Sequence, residues 1–114
     1  MDTSERDDDL VDITVTAGDE EWLAAFTRRL VADRLVACGN IVPIRSIYAW
    51  DDDIEDERET LAVLHTRRAM VAAVMERVHD EHPYDTPQVI VLPVADADPR
   101  YRDWLIESTR GTAS

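Results

Sequence analysis

The chain has 114 residues, a length that fits one small domain. Its formal net charge of −13, with carboxylates spread along the whole sequence, argues against nucleic-acid backbones and anionic membranes as partners. Its basic residues are all arginine, a bias that predicts adaptation to a high-salt cytoplasm, where ions screen the self-repulsion of such a surface.

The elements begin after an acidic segment. Residues 1–9 lack an apolar run, which predicts a disordered tail rather than a signal peptide, and residues 10–110 form the domain. Residues 10–17 alternate β-branched and polar side chains, as expected of a strand. Asp19 then caps a helix whose apolar spacing runs through Leu35, with Gly39 as the predicted stop.

A long hairpin follows the first helix. Residues 41–50 read as an extended segment in which Pro43 indicates an edge strand or a bulge. Residues 51–56 form a polar, acidic turn, and residues 59–66 form a further strand. The two strands together predict a hairpin that is long for so small a sheet.

The last third of the chain contains a stiff corner. Apolar spacing predicts a second helix over residues 68–80. Pro83 and Pro87 restrict the backbone of residues 82–87, so the helix stops at His82. The rigid backbone also predicts that the side chain of His82 points in a fixed direction. Residues 89–94 are nearly all apolar, which predicts a strand buried on both faces, and Asp98 begins a short last helix.

The element order is β-α-β-β-α-β followed by a short C-terminal helix, which predicts an α+β, ferredoxin-like domain. Two helices on one face of the sheet leave the other face uncovered. We therefore expect a homo-oligomer in which the hairpin strands extend the sheet of a neighbouring copy, closed into a ring.

The motifs in this order resemble the CutA family of divalent-cation tolerance proteins. The resemblance covers residues 13–105 and implies a ferredoxin-like homotrimer, similar in architecture to the PII signalling proteins. The matching segments are residues 35–41, 46–50, 54–55, 65–68, 82–90, 92–94 and 101–105.

The resemblance also implies a set of copper ligands, and this chain keeps only some of them. Members linked to copper have a cysteine on the first strand and two histidines before Pro-Tyr. The matching positions here are Val15, Glu81 and His82, so His82 alone is kept. Members usually carry a glutamate where this chain has Gln88.

Two side chains are candidate metal ligands. Cys38 as a thiolate suits copper or zinc, and the alternative is a small buried residue at a helix–strand junction. His82 is a candidate ligand or general base, and the alternative is a ring that bonds to a backbone carbonyl. His65, in an apolar strand, is predicted to be a satisfied interior histidine.

A cleft between subunits is the second candidate site. Aromatic side chains either line a pocket there or simply pack at the interface, and Glu59 and Arg67 either clamp an anion or form ion pairs. The acidic hairpin tip lacks the spacing of a calcium loop and is predicted to be solvated. The residues expected at the cleft or interface are Tyr48, Trp50, Glu59, Arg67, Tyr84, Gln88 and Trp104.

The sequence lacks a nucleophile elbow, a glycine-rich phosphate loop and paired cysteines, so we expect no enzyme activity. Its one cysteine fits a reducing cytoplasm. The preferred hypothesis is a trimeric metal-tolerance protein that binds Cu²⁺ or another divalent ion weakly and needs no obligatory cofactor. The alternatives are a PII-like small-molecule sensor and a scaffolding trimer.

The charge bias predicts that salt stabilises the fold. We expect the urea midpoint to rise between low and molar KCl, because screening relieves repulsion among the carboxylates. Urea unfolding followed by circular dichroism measures this. Equal midpoints in both salts would contradict the high-salt interpretation.

Overall fold

The computed structural model describes residues 6–111 of the chain. Its elements follow the predicted order, and a 3-10 turn at Arg68–Met70 leads into the second helix. Their bounds are β1 Leu10–Ala17, α1 Glu20–Ala32, β2 Cys38–Trp50, β3 Asp53–Arg67, α2 Val71–Glu81, β4 Val89–Pro93 and α3 Pro99–Ser108.

The strands form one antiparallel sheet with the order β2-β3-β1-β4. Ile13 of β1 lies opposite Leu64 of β3 and Val91 of β4, so the three share a face. This face packs on α1 and α2, which confirms the α+β, ferredoxin-like prediction. The buried side chains of this core are Val11, Ile13, Val15, Ala17, Leu23, Phe26, Leu30, Val36, Ala62, Leu64, Val74 and Val78.

Helix α1 begins where the sequence predicts but ends earlier than predicted, at Ala32. The Asp19 side chain accepts hydrogen bonds from the first-turn N–H groups of Glu21 and Trp22. The predicted stop at Gly39 is wrong, because Arg34 adopts a left-handed conformation (φ 61°) and the Leu35 N–H bonds back to the Leu30 carbonyl. That geometry terminates a helix, and Leu35 therefore packs against the core from beyond it.

The β2–β3 hairpin is longer than predicted because its turn is shorter. Asp51 and Asp52 have φ values of 50° and 66°, and left-handed residues at both central positions match the twist of paired strands. Strand β3 therefore starts at Asp53, within the predicted polar turn. Pro43 lies opposite Thr60 in an unbroken register on an edge strand, so the edge alternative holds rather than the bulge.

The sheet face opposite α1 and α2 is only partly covered, and we call it the open face. Strand β4 is predicted to be buried on both faces, but in the single chain Ile90 and Leu92 are 46% and 47% exposed on the open face. The prediction is wrong for one chain because the open face is uncovered at these two side chains, whereas Val89 and Val91 pack against the core. Helix α3 covers one end, where Leu105 packs with Leu10 and Ala37.

The start of the described chain contacts the domain. Residues 1–5 of the predicted acidic tail, and residues 112–114, lie outside the described residues. Asp8 lies 3.4 Å from Nη1 of Arg67 and 3.6 Å from Nη2 of Arg110. Arg67 also donates to the side chain and carbonyl of Thr109, so one guanidinium joins β3 to both ends of the described chain.

Gly39 allows the close approach of α1 to β2 and provides a test of the packing. A Cβ at this position would lie 2.5 Å from Cγ2 of Thr27, a buried and stiff β-branched side chain. We expect Gly39→Ala to lower the free energy of unfolding by about 1–3 kcal/mol through overpacking.

Gly111→Ala is the control, because a Cβ there meets no atom within 4 Å. Urea unfolding of both variants in the same salt measures the difference. Equal midpoints for the two variants would show that the contact between α1 and β2 is looser than described.

Candidate functional site

The His82 ring bonds the end of α2 to β1. His82 is the C-cap residue, with extended backbone angles (φ −68°, ψ 137°) as expected before a proline. Its Nε2 donates to the Thr16 carbonyl at 2.8 Å, and its Nδ1 accepts from the Tyr84 N–H at 3.1 Å. The two partners fix one neutral tautomer, with the proton on Nε2. The bond to a backbone carbonyl is the architectural alternative that the sequence left open.

Aromatic rings enclose the same histidine. Trp22 and Tyr84 contact the His82 ring edge-on, with centroids 5.0 and 4.9 Å away, and Trp22 also stacks on Phe26. The side chain is 8% exposed. A metal ion would have to displace Thr16 or the Tyr84 amide from the ring, so the ligand role of His82 stays a prediction.

The neighbouring carboxylate, Glu81, is held by two arginines. Arg77 Nε lies 2.6 Å from Glu81 Oε2, and Arg29 Nη2 lies 2.7 Å from Oε1. The hydrogen bond from Arg77 is the main cause that lowers the pKa of Glu81, and Arg29 adds to it. Arg77 also pairs with Asp33. These ion pairs join α1 to α2. Glu81, which they hold, lies at the position where copper-linked members of the resembled family have a histidine.

Cys38 lies in a separate polar cluster on the open face. Its Sγ is 3.4 Å from the Tyr101 hydroxyl, and burial followed by the contact with Cys38 raises the pKa of Tyr101 to about 12. His65, opposite Cys38 in the ladder, has Nδ1 2.5 Å from Asp12 Oδ1 and Nε2 2.7 Å from Asn40 Oδ1. Both ring nitrogens of His65 have partners, which agrees with the prediction of a satisfied histidine.

One chain does not bring the two predicted metal ligands together. His82 bonds to Thr16 of β1. Cys38 pairs with His65 across β2 and β3, and His65 pairs with Asp12 of β1, which is four positions before Thr16. At a strand rise of about 3.3 Å per residue, that separation is about 13 Å. Residues 6–111 contain no group of three or more His, Cys, Asp or Glu side chains arranged to hold a metal ion.

Most of the predicted cleft residues do come together in one chain. A cleft of about 570 Å³ opens where the hairpin meets the His82–Gln88 corner, and we call it the aromatic–acidic cleft. The predicted residues Arg67 and Trp104 are elsewhere, near α3. The lining residues are the predicted Tyr48, Trp50, Glu59, Tyr84 and Gln88, together with Thr16, Glu57, Asp85 and Thr86.

The strand register explains why Glu57 lines the cleft, and the 82–88 corner explains Asp85 and Thr86. Glu57 lies two positions before Glu59, so strand alternation puts both side chains on the open face. The sequence signal for Glu57 was available, but β3 was predicted to begin only at Glu59. Asp85 and Thr86 are next to Tyr84, whereas Thr16 joins the cleft only through packing of β1.

Two carboxylates of the cleft accept hydrogen bonds from its tyrosine hydroxyls. The Tyr48 hydroxyl donates to Glu57, and this bond is the main cause that raises the pKa of Tyr48 to about 12. The Tyr84 hydroxyl donates to Glu59 at 3.3 Å, and burial, followed by the charge of Glu59, raises its pKa. Gly18 makes room, because a Cβ there would lie 2.8 Å from the Tyr84 hydroxyl. Both phenols therefore stay protonated at neutral pH.

The two roles of His82 predict different responses to mutation. The structure predicts that His82→Ala lowers the free energy of unfolding by about 1–3 kcal/mol without any metal, because the buried Thr16 carbonyl loses its partner. Urea unfolding in the presence of a chelator measures this loss. His79→Ala, at an exposed histidine of α2, is the control and should change stability by less than about 0.5 kcal/mol.

Calorimetric titration of the same variants with Cu²⁺ and Zn²⁺ completes the test. Unchanged stability of His82→Ala combined with loss of metal binding would mean that the ring serves as a ligand instead.

Comparison with known proteins identifies the family. The family described as "CutA1 divalent ion tolerance protein" matches residues 11–108. The chain is 37% identical over 98 residues to the divalent-cation tolerance protein CutA of Thermus thermophilus, covering 85% of this chain and 95% of that protein. It is 35% identical over 99 residues to the chloroplastic protein CutA of Arabidopsis thaliana, covering 86% of this chain but 54% of that longer protein.

Solved structures agree with the sequence match. The crystal structure of CutA1 from Oryza sativa superposes with a TM-score of 0.87 at 33% identity, covering 91% of this chain and 96% of that one. Within residues 6–111, no helix has the length and apolar character that a membrane crossing requires. The match in sequence and the match in fold span the same domain, and the chain belongs to the CutA1 divalent ion tolerance protein family.

Proposed function

We propose that this protein is a non-enzymatic, cytoplasmic homotrimer that contributes to tolerance of divalent cations. The names of its relatives, divalent-cation tolerance proteins, support the tolerance role, and the open face of the sheet supports the assembly. Three copies in a ring would cover one another's open faces and pair the two edge strands, β2 and β4.

The observation that carries the proposal is the amount of apolar surface that one chain leaves in water. Val42, Ile90 and Leu92 are each more than two-fifths exposed on the open face, and Tyr101 and Trp104 of α3 adjoin it. Apolar side chains that are exposed on one face of a sheet mark an interaction surface, because their burial contributes about 25 cal/mol for each Å² removed from water. A second copy of the chain presents the same patch and matching strand edges.

The proposed contact with metal is weak. Cys38 offers a soft sulfur that is hydrogen-bonded to a phenol, while His82 must exchange a backbone hydrogen bond for any metal bond. Each ligand would also need further donors from another copy, since structural sites use three or four ligands. Cu²⁺ is the divalent ion that nitrogen and sulfur donors favour most. We accordingly propose loose, reversible binding with no obligatory cofactor.

A PII-like small-molecule sensor is the second candidate. The aromatic–acidic cleft favours it, since about 570 Å³ lies within the usual range for small-molecule sites. Its carboxylates disfavour phosphate ligands, so a nucleotide is the least suitable occupant.

Solution mass tests the assembly. Light scattering in concentrated KCl should give about three times the chain mass of 13.0 kDa. Leu92→Glu puts a charge on the open face and should yield a smaller particle. Val31→Glu changes a similarly exposed apolar residue on α1 and should leave the mass unchanged. A folded, unmodified particle of about 13 kDa would reject the trimer.

A further inference from the structure

We propose that three arginines at one end of the molecule form a site for a small oxyanion, which a carboxylate of the chain itself, Asp8, occupies. Arg67 Nη1 lies 3.4 Å from Asp8 Oδ1, and Arg110 Nη2 lies 3.6 Å from Asp8 Oδ2. Arg102 Nη2 donates to the main-chain carbonyl of Asp8 at 3.4 Å. We call Arg67, Arg102 and Arg110 the arginine cluster. Residues 6–9 then act as a strap that a free anion displaces.

The guanidinium of Arg67 is fixed in place by bonds that do not involve an anion. Its Nε donates to the Thr109 hydroxyl at 3.0 Å, and its Nη2 donates to the Thr109 carbonyl at 3.1 Å. These bonds leave Nη1 directed at Asp8. Arg67 is 9% exposed in the single chain, so its burial does not depend on assembly. A planar guanidinium that is already oriented loses less rotational freedom when it binds an anion.

The arginine cluster carries more positive charge than Asp8 neutralises. Among residues 6–111, Asp8 is the one carboxylate that forms an ion pair with Arg67 or Arg110. Arg102 bonds to a carbonyl, which carries no net charge. Three guanidinium groups therefore face one carboxylate, in a chain whose formal net charge is −13. That local excess attracts a small anion at short range, although the net charge of the protein repels it.

The contacts of Asp8 are long for charged partners. Hydrogen bonds between arginine and carboxylate usually measure about 2.7–2.9 Å, and Arg77 lies 2.6 Å from Glu81 in this protein. The three contacts of Asp8 with the arginine cluster measure 3.4 Å or more. One carboxylate thus spans two guanidiniums without closing on either. A tetrahedral oxyanion presents oxygens in more directions and fits bonds from all three arginines at once.

The strap also bonds to the main chain at the end of β3. The Arg68 N–H donates to the Asp9 carbonyl at 2.8 Å, one residue beyond Asp8. Leu10 follows and is held separately, because it begins β1 and is buried. Displacement of Asp8 should therefore release the Arg68 N–H while β1 stays in the sheet.

The site includes residues that the family match does not cover. That match spans residues 11–108. Asp8, Thr109 and Arg110 lie outside it, at the two ends of the described chain. The strap is therefore a feature added to the family's domain, and it goes beyond the proposed role in cation tolerance.

Hydrogen exchange tests the strap. Asp8→Asn removes its charge at the arginine cluster, and Asp7→Asn makes the same change in charge one residue earlier. Measured by NMR in KCl buffer, the exchange rate of the Arg68 amide should rise at least threefold in Asp8→Asn and stay unchanged in Asp7→Asn. In the unmodified protein, sulfate that replaces chloride at fixed ionic strength should also raise this rate. Equal rates in the two variants, or no response to sulfate, would overturn the proposal.

Sulfate binding tests the site itself. Calorimetry should show saturable binding to Asp8→Asn, at least fivefold tighter than to the unmodified protein, because the competing carboxylate is gone. Adding Arg110→Gln should weaken that binding at least threefold, whereas adding Arg100→Gln, at an exposed arginine of α3, should leave it unchanged.

Urea midpoints confirm that each variant is folded. Equal effects of the two arginine variants would reject the site. Absence of sulfate binding to folded Asp8→Asn would reject it as well, including the case in which a neighbouring copy covers the arginine cluster. The particle mass separately decides the proposed trimer.

Discussion

The sheet is covered by α1 and α2 on one face only, and most of the structure follows from that constraint. Strand alternation directs Ile13 and Val15 of β1 into the core, so Asp12 and Thr14 must face the other way. Helix α3 closes only the end near Leu105. The remainder keeps exposed apolar side chains, and the proposed self-association rests on this surface.

The same alternation organises the chemistry of the hairpin. Arg45 and Asp56 form their ion pair on one side, while Glu57 and Glu59 point to the side that the cleft occupies. The His82 ring sets the other wall, because its bonds to Thr16 and Tyr84 fix the corner against β1. A residue that resembles a metal ligand in the sequence thus acts here as a support for the aromatic wall.

Local signals in the sequence predicted the structure best. The Asp19 cap, the strand at residues 10–17 and the helix start at Asp98 depend on neighbours a few positions away, and each was predicted correctly. The end of α1 was missed because the apolar spacing continues through Leu35, whereas the helix stops where the backbone of Arg34 becomes left-handed. A non-glycine residue gives little warning of that conformation.

The sequence alone determined the order of the elements, the long hairpin and most of the residue types that line the cleft. Only the tertiary structure decided that Cys38 and His82 lie apart, that both nitrogens of the His82 ring have partners, and that Thr16 reaches the cleft. The reason is separation along the chain. Propensities and caps act over a few residues, whereas the His82–Thr16 bond spans 66 positions and exists only because the sheet register and helix packing bring the two together.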